Sequence, residues 1–153
     1  MIRILFVCTG NTCRSPMAEA ILKSKSIPNI EVKSAGVFAI DGGDASDHTQ
    51  AVLKENQIAH QHRSSMLTKE MVDWSTHILT MSRGHKSTVI NMFPEALNKT
   101  FTITEFAGDS RNGDVVDPYG GTIDIYRYTY QELSEKVSKV IKRLQKENEE
   151  TWG

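Results

Sequence analysis

Short apolar runs alternate with helical patterns along this chain. Runs with β-branched residues occur at positions 2–7, 30–35, 77–81 and 101–103, and such runs are typical of strands that are covered on both faces. Helical patterns fill the intervals. The clearest is the last, where apolar residues recur at steps of four and three: Tyr126, Tyr130, Leu133, Val137, Val140, Ile141 and Leu144. The alternation predicts an α/β fold, a single-domain open parallel sheet of about four strands with helices on both faces.

Capping residues indicate where the predicted helices begin. Ser15 can cap the first helix, with Pro16 at its first position, and Thr68 and Ser82 can cap two later helices. Pro94 is expected to end the helix that Ser82 begins, because proline lacks the amide hydrogen that a helix interior needs.

The remaining polar segments predict a loop, a solvent-facing helix surface and a tail. Residues 105–121 contain four glycines and a proline, which predicts a long loop of the kind that is often functional. Glu132 and Lys136 lie one helical turn apart and are expected to pair on the solvent side of the last helix. Residues 147–153 are expected to form a frayed tail.

Composition narrows the class of protein. The net charge is −1 and no basic block occurs, which argues against a nucleic-acid partner. Two cysteines, Cys8 and Cys13, make no disulfide framework and suit a reducing cytoplasm. The apolar run at residues 4–7 is too short for a signal peptide, and no run approaches the ~18 apolar residues of a membrane span. We therefore expect one monomeric, cytoplasmic domain over residues 1–153, with no membrane association.

Residues 4–20, "ILFVCTGNTCRSPMAEA", join the first strand to the first helix and carry candidate chemistry. Such a turn directs several backbone N–H groups at one point, and the helix dipole adds about half a positive charge there. Gly10 is expected to take a positive φ, and the Arg14 guanidinium can bind two phosphate oxygens. The same field is expected to lower the pKa of the Cys8 thiol and to supply a thiolate that attacks phosphorus. On the residues alone, a buried cysteine and a surface arginine remain an alternative.

Three segments then identify a family: "VCTGNTCRSPMAEA" at residues 7–20, "SAG" at 34–36 and "DPYGG" at 117–121. Together they resemble the low-molecular-weight protein tyrosine phosphatases over essentially the whole chain, which implies that family's flavodoxin-like fold. The resemblance implies that Cys8 forms a phosphocysteine intermediate and that Arg14 binds the oxygens of the transition state. It also implies that Asp117 protonates the leaving group and then assists water. Taken alone, Asp117 before proline would predict only a turn.

The resemblance also implies roles for the rest of the loop. The phosphate-binding residues are expected to be Thr9, Gly10, Asn11, Thr12, Cys13 and Arg14, mainly through their backbone N–H groups. Asn11, Ser15 and Ser34 are expected to support the loop. Cys13 is either a small buried apolar residue or, as the resemblance suggests, the redox partner of Cys8 in a reversible disulfide.

Thr12 bears on the choice of substrate. Tyrosine-specific members usually have a branched apolar residue here, and "CTGNTCRS" resembles the branch that acts on phosphoarginine in proteins. A threonine hydroxyl can accept a guanidinium N–H that isoleucine would leave unpaired, at a cost of about 1–3 kcal/mol. Asp117 can accept from the guanidinium too, while Tyr119 and Phe38 are candidate walls of the substrate pocket. The sequence thus favours a protein arginine phosphatase, with phosphorylated proteins as substrates and phosphate or other oxyanions as ligands.

Three other functions remain as alternatives. A tyrosine phosphatase would use the same chemistry, and a non-catalytic module would only bind anions. An arsenate reductase would need cysteines beyond Cys13, and the chain has none. No cofactor or metal is expected, because the thiolate and Arg14 perform the task that metals perform in other enzymes. His60 and His62 have no cysteine or carboxylate at ligand spacing and predict a solvated loop, and His85 is isolated in the sequence.

Overall fold

The first apolar run forms the centre of a parallel sheet. The computed structural model describes residues 1–109 and 113–152, with the backbone alone for residues 148–152. Among these residues the strands are β1 (Ile2–Cys8), β2 (Ile30–Gly36), β3 (His77–Thr80) and β4 (Thr100–Thr102). The helices are α1 (Arg14–Ser24), α2 (Asp47–Glu55), α3 (Lys69–Trp74), α4 (Arg83–Met92), α5 (Ile103–Phe106) and α6 (Ile123–Trp152), with a 3₁₀ helix at Pro94–Lys99.

The strand order is β2-β1-β3-β4, and all neighbouring strands are parallel. β1 therefore lies between β2 and β3, and the last residue of β1, Cys8, pairs with Gly36. The chain passes from β1 to β2 on one side of it, and only later to β3 on the other side. The carboxyl end of β1 is thus the position where open α/β sheets bind ligands.

Side chains of β1 alternate between two apolar layers, as the strand period of two requires. Ile4, Phe6 and Cys8 belong to one core cluster, which includes the buried faces of α1 and α6. Leu5 and Val7 belong to a second cluster, which includes residues of α3 and α4. The prediction of a parallel sheet of four strands with helices on both faces is confirmed.

The helix starts follow the predicted caps, with one exception. The Thr68 and Ser82 hydroxyls accept from backbone N–H groups of α3 and α4, and α4 ends at Met92, before Pro94. The prediction that Ser15 caps α1 is wrong, because α1 begins at Arg14 and the Ser15 hydroxyl lies within hydrogen-bonding distance of the Cys8 thiol.

The predicted loop at residues 105–121 is shorter than expected. Thr102 and Glu105 form a reciprocal capping box, which continues β4 into the short helix α5 as far as Phe106. Residues 110–112 of the predicted loop lie outside the described residues.

The last helix differs from the prediction in one respect. Lys136 is buried rather than solvated, and its ammonium lies 3.7 Å from Asp109 and 3.7 Å from Glu132. The carboxylate of Asp109 gives the ammonium a charge partner that the helical pattern could not reveal.

Helix α6 continues to Trp152, and the expected fraying of residues 147–153 stays a prediction. Among the described residues, no helix is both long enough and apolar enough to cross a membrane.

Candidate active site

The loop between β1 and α1 is held by hydrogen bonds to its outward-facing carbonyl groups. The donors come from the segment that follows β2, from the start of α2 and from His62, which is 51 positions from Asn11 in the sequence. They are Val37 N–H to Cys8 O (3.0 Å), Phe38 N–H to Thr9 O (2.9 Å), Ser46 N–H to Thr12 O (2.9 Å) and His62 Nε2–H to Asn11 O (2.7 Å). With these carbonyls engaged on the outside, the loop presents N–H groups to its interior, where those of Asn11 and Ser15 hydrogen-bond the Cys8 sulfur.

The backbone of the loop depends on two residues that the sequence did not single out for this purpose. The predicted positive φ at Gly10 is wrong: Asn11 takes it, with φ 56°. Asparagine tolerates this region better than most residues with a Cβ. Gly36 on the neighbouring strand lies so close to the loop that a Cβ there would overlap the Thr9 carbonyl oxygen. The loop therefore requires a glycine beside it rather than within it.

Cys8 is 3 % exposed, and its sulfur lies 2.8 Å from the Ser15 hydroxyl. Burial raises the pKa of the Cys8 thiol above its ordinary value, which contradicts the expected lowering. The Ser15 hydroxyl, the backbone N–H of Ser15, the Arg14 guanidinium and the backbone N–H of Asn11 all act in the opposite direction. The thiolate thus depends on this set of donors and on one cation, because the apolar surroundings oppose its charge.

The Asn11 side chain joins the loop to the residues beneath it. Its amide nitrogen donates to Ser15 Oγ (2.8 Å) and to Ser34 Oγ (2.9 Å), and its oxygen accepts from Ser65 N–H (2.9 Å). Ser34 in turn donates to Glu19 Oε1 at 2.5 Å. The structure thus brings together Asn11, Ser15 and Ser34, the three residues that the resemblance implies for loop support.

Arg14 and Asp117 meet above the loop, although 103 positions separate them in the sequence. Arg14 Nη2 lies 3.5 Å from Asp117 Oδ2, and Arg14 Nη1 donates to the Val115 carbonyl at 3.2 Å. Val115 is itself anchored by a hydrogen bond from its N–H to the carbonyl of Met81, just past β3. Arg14 is buried, while the side chain of Asp117 is about half exposed.

A cavity of about 220 Å³ lies over the loop, lined by Cys8, Thr9, Gly10, Thr12, Cys13, Arg14, Asp117 and Tyr119. Tyr119 borders it with a ring that is largely exposed, and its N–H donates to Asp117 Oδ1 at 3.1 Å. Phe38 is also exposed, but it does not belong to this described lining, so the structure does not join it to the other specificity candidates.

Cys13 is a free, buried thiol, as is Cys8. Its sulfur lies 3.4 Å from the Tyr126 hydroxyl and 3.5 Å from the Ser46 hydroxyl. Burial, followed by the hydrogen bond with Cys13, raises the pKa of Tyr126 to about 12. The phenol therefore remains protonated at neutral pH. The disulfide between Cys8 and Cys13 stays a prediction.

Sequence reasoning missed three residues at this site. The interpretation of His62 as solvated is wrong, since its side chain is 5 % exposed and holds the Asn11 carbonyl. Glu19, a charge within the apolar face of α1, is the residue to which Ser34 donates, and that break in the apolar pattern was the available signal.

His85 is the third missed residue. Its Nε2 lies 2.8 Å from the Thr9 hydroxyl and its Nδ1 lies 2.8 Å from the Ser82 hydroxyl, so it connects α4 to the loop. Burial, followed by the nearby Arg14 charge, lowers the pKa of His85 to about 4. The imidazole is therefore neutral at neutral pH and adds no positive charge beside Arg14.

Comparisons with known proteins agree with this fold and identify the family. A protein-arginine-phosphatase of Geobacillus stearothermophilus is 53% identical over 145 residues, which cover 95% of this chain and 97% of that protein. A protein-arginine-phosphatase of Bacillus subtilis is 46% identical over 147 residues, 94% of this chain and 97% of that protein. The solved structure of the YwlE arginine phosphatase from Geobacillus stearothermophilus superposes with a TM-score of 0.94 at 52% identity, over 98% of this chain and 97% of that one. The model of the low molecular weight phosphotyrosine protein phosphatase family matches residues 3–150, and the chain belongs to that family.

Proposed function

We propose that this chain is a protein phosphatase that uses Cys8 as its nucleophile and acts on phosphoarginine in proteins. The observation that carries the proposal is the position of the Cys8 sulfur, below inward N–H groups and beside the Arg14–Asp117 pair. Two relatives that are 53% and 46% identical to this chain are named protein-arginine-phosphatases, which supports the choice of substrate. The resemblance of "CTGNTCRS" to the branch that acts on phosphoarginine points to the same substrate.

The geometry supports a two-step transfer. The loop N–H groups and Arg14 bind the phosphoryl oxygens, and the Cys8 thiolate attacks phosphorus to form an S–P bond. The P–N bond breaks, and the protonated Asp117 carboxyl gives its proton to the leaving nitrogen. Asp117, now a carboxylate, takes a proton from water as the water oxygen attacks phosphorus. The S–P bond then breaks, which regenerates the thiolate and releases inorganic phosphate.

Thr12 and Asp117 are the groups that we propose select the guanidinium. Both line the cavity beside Cys8, and both offer oxygen acceptors to N–H groups on the leaving side of phosphorus. A phenol ring offers no such donors at the corresponding position. An unpaired buried N–H costs about 1–3 kcal/mol, so loss of the Thr12 acceptor weakens catalysis toward phosphoarginine alone.

Substitution of Thr12 tests this substrate choice. We expect Thr12→Ile to lower kcat/KM for a phosphoarginine peptide by about 10- to 100-fold, with phosphotyrosine turnover kept or increased. Thr12→Ser keeps the hydroxyl and is the matched control, for which phosphoarginine turnover is retained. Equal phosphoarginine turnover by wild type and Thr12→Ile would contradict the specificity proposal and favour the tyrosine phosphatase that the family name describes.

A separate experiment tests catalysis itself. Wild type is expected to hydrolyse a chromogenic phosphate ester, and Cys8→Ser is expected to bind inorganic phosphate without turnover. Equal rates for the two proteins would remove Cys8 from the mechanism, and phosphate binding by wild type without hydrolysis would indicate an anion-binding module. We further propose that the enzyme acts in the cytoplasm as a monomer and has no nucleic-acid partner. Sedimentation of the purified chain tests the proposed oligomeric state.

A further inference from the structure

A second polar cluster lies beneath the nucleophile loop, on the side away from the cavity. Glu19 on α1 meets His60 and His62, which belong to the irregular segment between α2 and α3. Each of the three residues offers one ligand atom, and these atoms all lie within 4.8 Å of one another. None of the three lines the cavity above Cys8, although Glu19 and His62 also take part in the hydrogen bonds that support its loop.

The hydrogen bond made by His62 determines which of its ring nitrogens is available. A carbonyl oxygen can only accept, so His62 Nε2 carries the hydrogen that it donates to Asn11 O. The other nitrogen, Nδ1, lies 3.7 Å from Glu19 Oε1, which is too far for a hydrogen bond. Metal-binding histidines typically donate one ring N–H to a backbone carbonyl and ligate through the other nitrogen, which is the arrangement of His62.

Glu19 is oriented in the same way as a ligating carboxylate. The Ser34 hydroxyl donates to Oε1 at 2.5 Å, and the Lys23 ammonium binds Oε2 at 2.6 Å. Hydrogen-bonded carboxylates of this kind are common around metal ions. The Lys23 side chain is about half exposed, so it can move into solvent when another cation takes its place.

His60 supplies the observation that the loop-support network does not explain. Its ring stacks on that of His62 with the centroids 5.7 Å apart, and its buried Nε2 makes no hydrogen bond to the described residues. An imidazole nitrogen that is unused and lies close to a carboxylate is a suitable ligand for a cation.

We propose that Glu19, His60 and His62 bind a divalent transition-metal ion, with Zn²⁺ as the representative case. Two imidazoles and one carboxylate, with water in a fourth position, form one of the common three-residue zinc sites. A groove lined by Asp44, Gln50, Gln61 and both histidines gives the ion a path from solvent. Bonds of about 2.0–2.1 Å require the ligand atoms, which all lie within 4.8 Å of one another, to approach one another when the ion binds.

Calorimetric titration with Zn²⁺ tests the site in the full chain carrying Cys8→Ser, which removes the catalytic thiol as a competing ligand. We expect one saturable site, and we expect His60→Phe, which keeps a ring against His62, to weaken it at least about tenfold. His48→Phe is the matched control outside the cluster and is expected to leave the affinity unchanged. Equal affinity in the His60→Phe and control proteins, or no saturable binding, would overturn the proposal.

Cobalt spectra provide a second measurement that does not depend on enzyme activity. Co²⁺ bound to Glu19, His60 and His62 is expected to give visible d–d bands without the sulfur-to-metal charge-transfer band of a thiolate site. A charge-transfer band that disappears with Cys13→Ser would assign the metal to that cysteine instead. If His60→Phe folds poorly, His60→Gln replaces it, and Zn²⁺ is expected to raise the urea midpoint of the parent protein but not of this variant.

Discussion

Ser15 provides the most direct test of the proposal that Cys8 reacts as a thiolate nucleophile. Its fully buried hydroxyl lies 2.8 Å from the Cys8 sulfur and accepts from Asn11 Nδ2 at 2.8 Å. Because the oxygen accepts from Asn11, its own hydrogen is free to point at sulfur. A hydrogen bond to a charged group is worth about 1.5–3 kcal/mol. Ser15→Ala should therefore lower the thiolate fraction by about 10- to 100-fold at a pH below the pKa of Cys8.

The rate of Cys8 alkylation by iodoacetamide, followed against pH, measures this loss. A Cys13→Ser background leaves one reactive thiol, because the chain has two cysteines. Ser15→Ala should raise the pKa of Cys8 further and slow alkylation at neutral pH by the same factor. Ser75→Ala removes another buried hydroxyl, which donates to the Met71 carbonyl at 2.7 Å, and should leave the profile unchanged. Identical pH profiles for wild type and Ser15→Ala would refute the role of this hydrogen bond.

Two further predictions concern residues that hold the loop from outside. Gly36→Ala should destabilise the fold by about 3 kcal/mol, because the added Cβ would overlap the Thr9 carbonyl oxygen. Gly84→Ala is the control and should be tolerated, since the nearest atom to a Cβ there lies at 3.6 Å. Urea unfolding compares the two variants, and equal midpoints would contradict the close approach at Gly36. Folding lowers the pKa of His85 from 6.5 to about 4, so the unfolded chain binds more protons than the folded chain between these two pH values. The free energy of unfolding should therefore decrease as the pH falls from 6.5 to about 4. Urea midpoints measured across pH should show this decrease in wild type and less of it in His85→Asn, while equal slopes would exclude His85 as the cause.

The parts of the site that follow from local sequence were predicted from the residues themselves. Of the parts that depend on distant contacts, the family resemblance predicted Ser34 and Asp117, and the others were missed. The apolar run that ends at Cys8 predicted a central strand, and β1 does end at Cys8. The positive φ was assigned to Gly10 because glycine is permissive, yet the side-chain bonds of Asn11 to Ser15, Ser34 and Ser65 favour that conformation at the neighbouring residue. No local pattern contains these bonds, since they join segments that meet only in the folded chain.

The pKa of the Cys8 thiol likewise depends on a feature, its burial, that the local sequence does not show. Strand end, loop and helix start predicted a stabilised thiolate, because each supplies partial positive charge. The degree of burial could not be predicted from the motif, and burial opposes the charge more strongly than these donors favour it. Each hydrogen-bond donor to Cys8 is therefore needed, at its present position, to offset the effect of burial on the pKa of the thiol.

Asn11 explains how those donors stay in place. Both of its amide hydrogens and its side-chain oxygen are engaged, and its backbone carbonyl is held by His62. The loop can change shape only by breaking bonds of a buried amide, at about 1–3 kcal/mol for each group left unpaired. Stabilisation of a developing charge is effective when its donors need no reorganisation during the reaction. A saturated polar network beneath the loop thus provides the rigidity that the proposed phosphoryl transfer at Cys8 requires. Glu19 and His62, which we propose as metal ligands, belong to the same network.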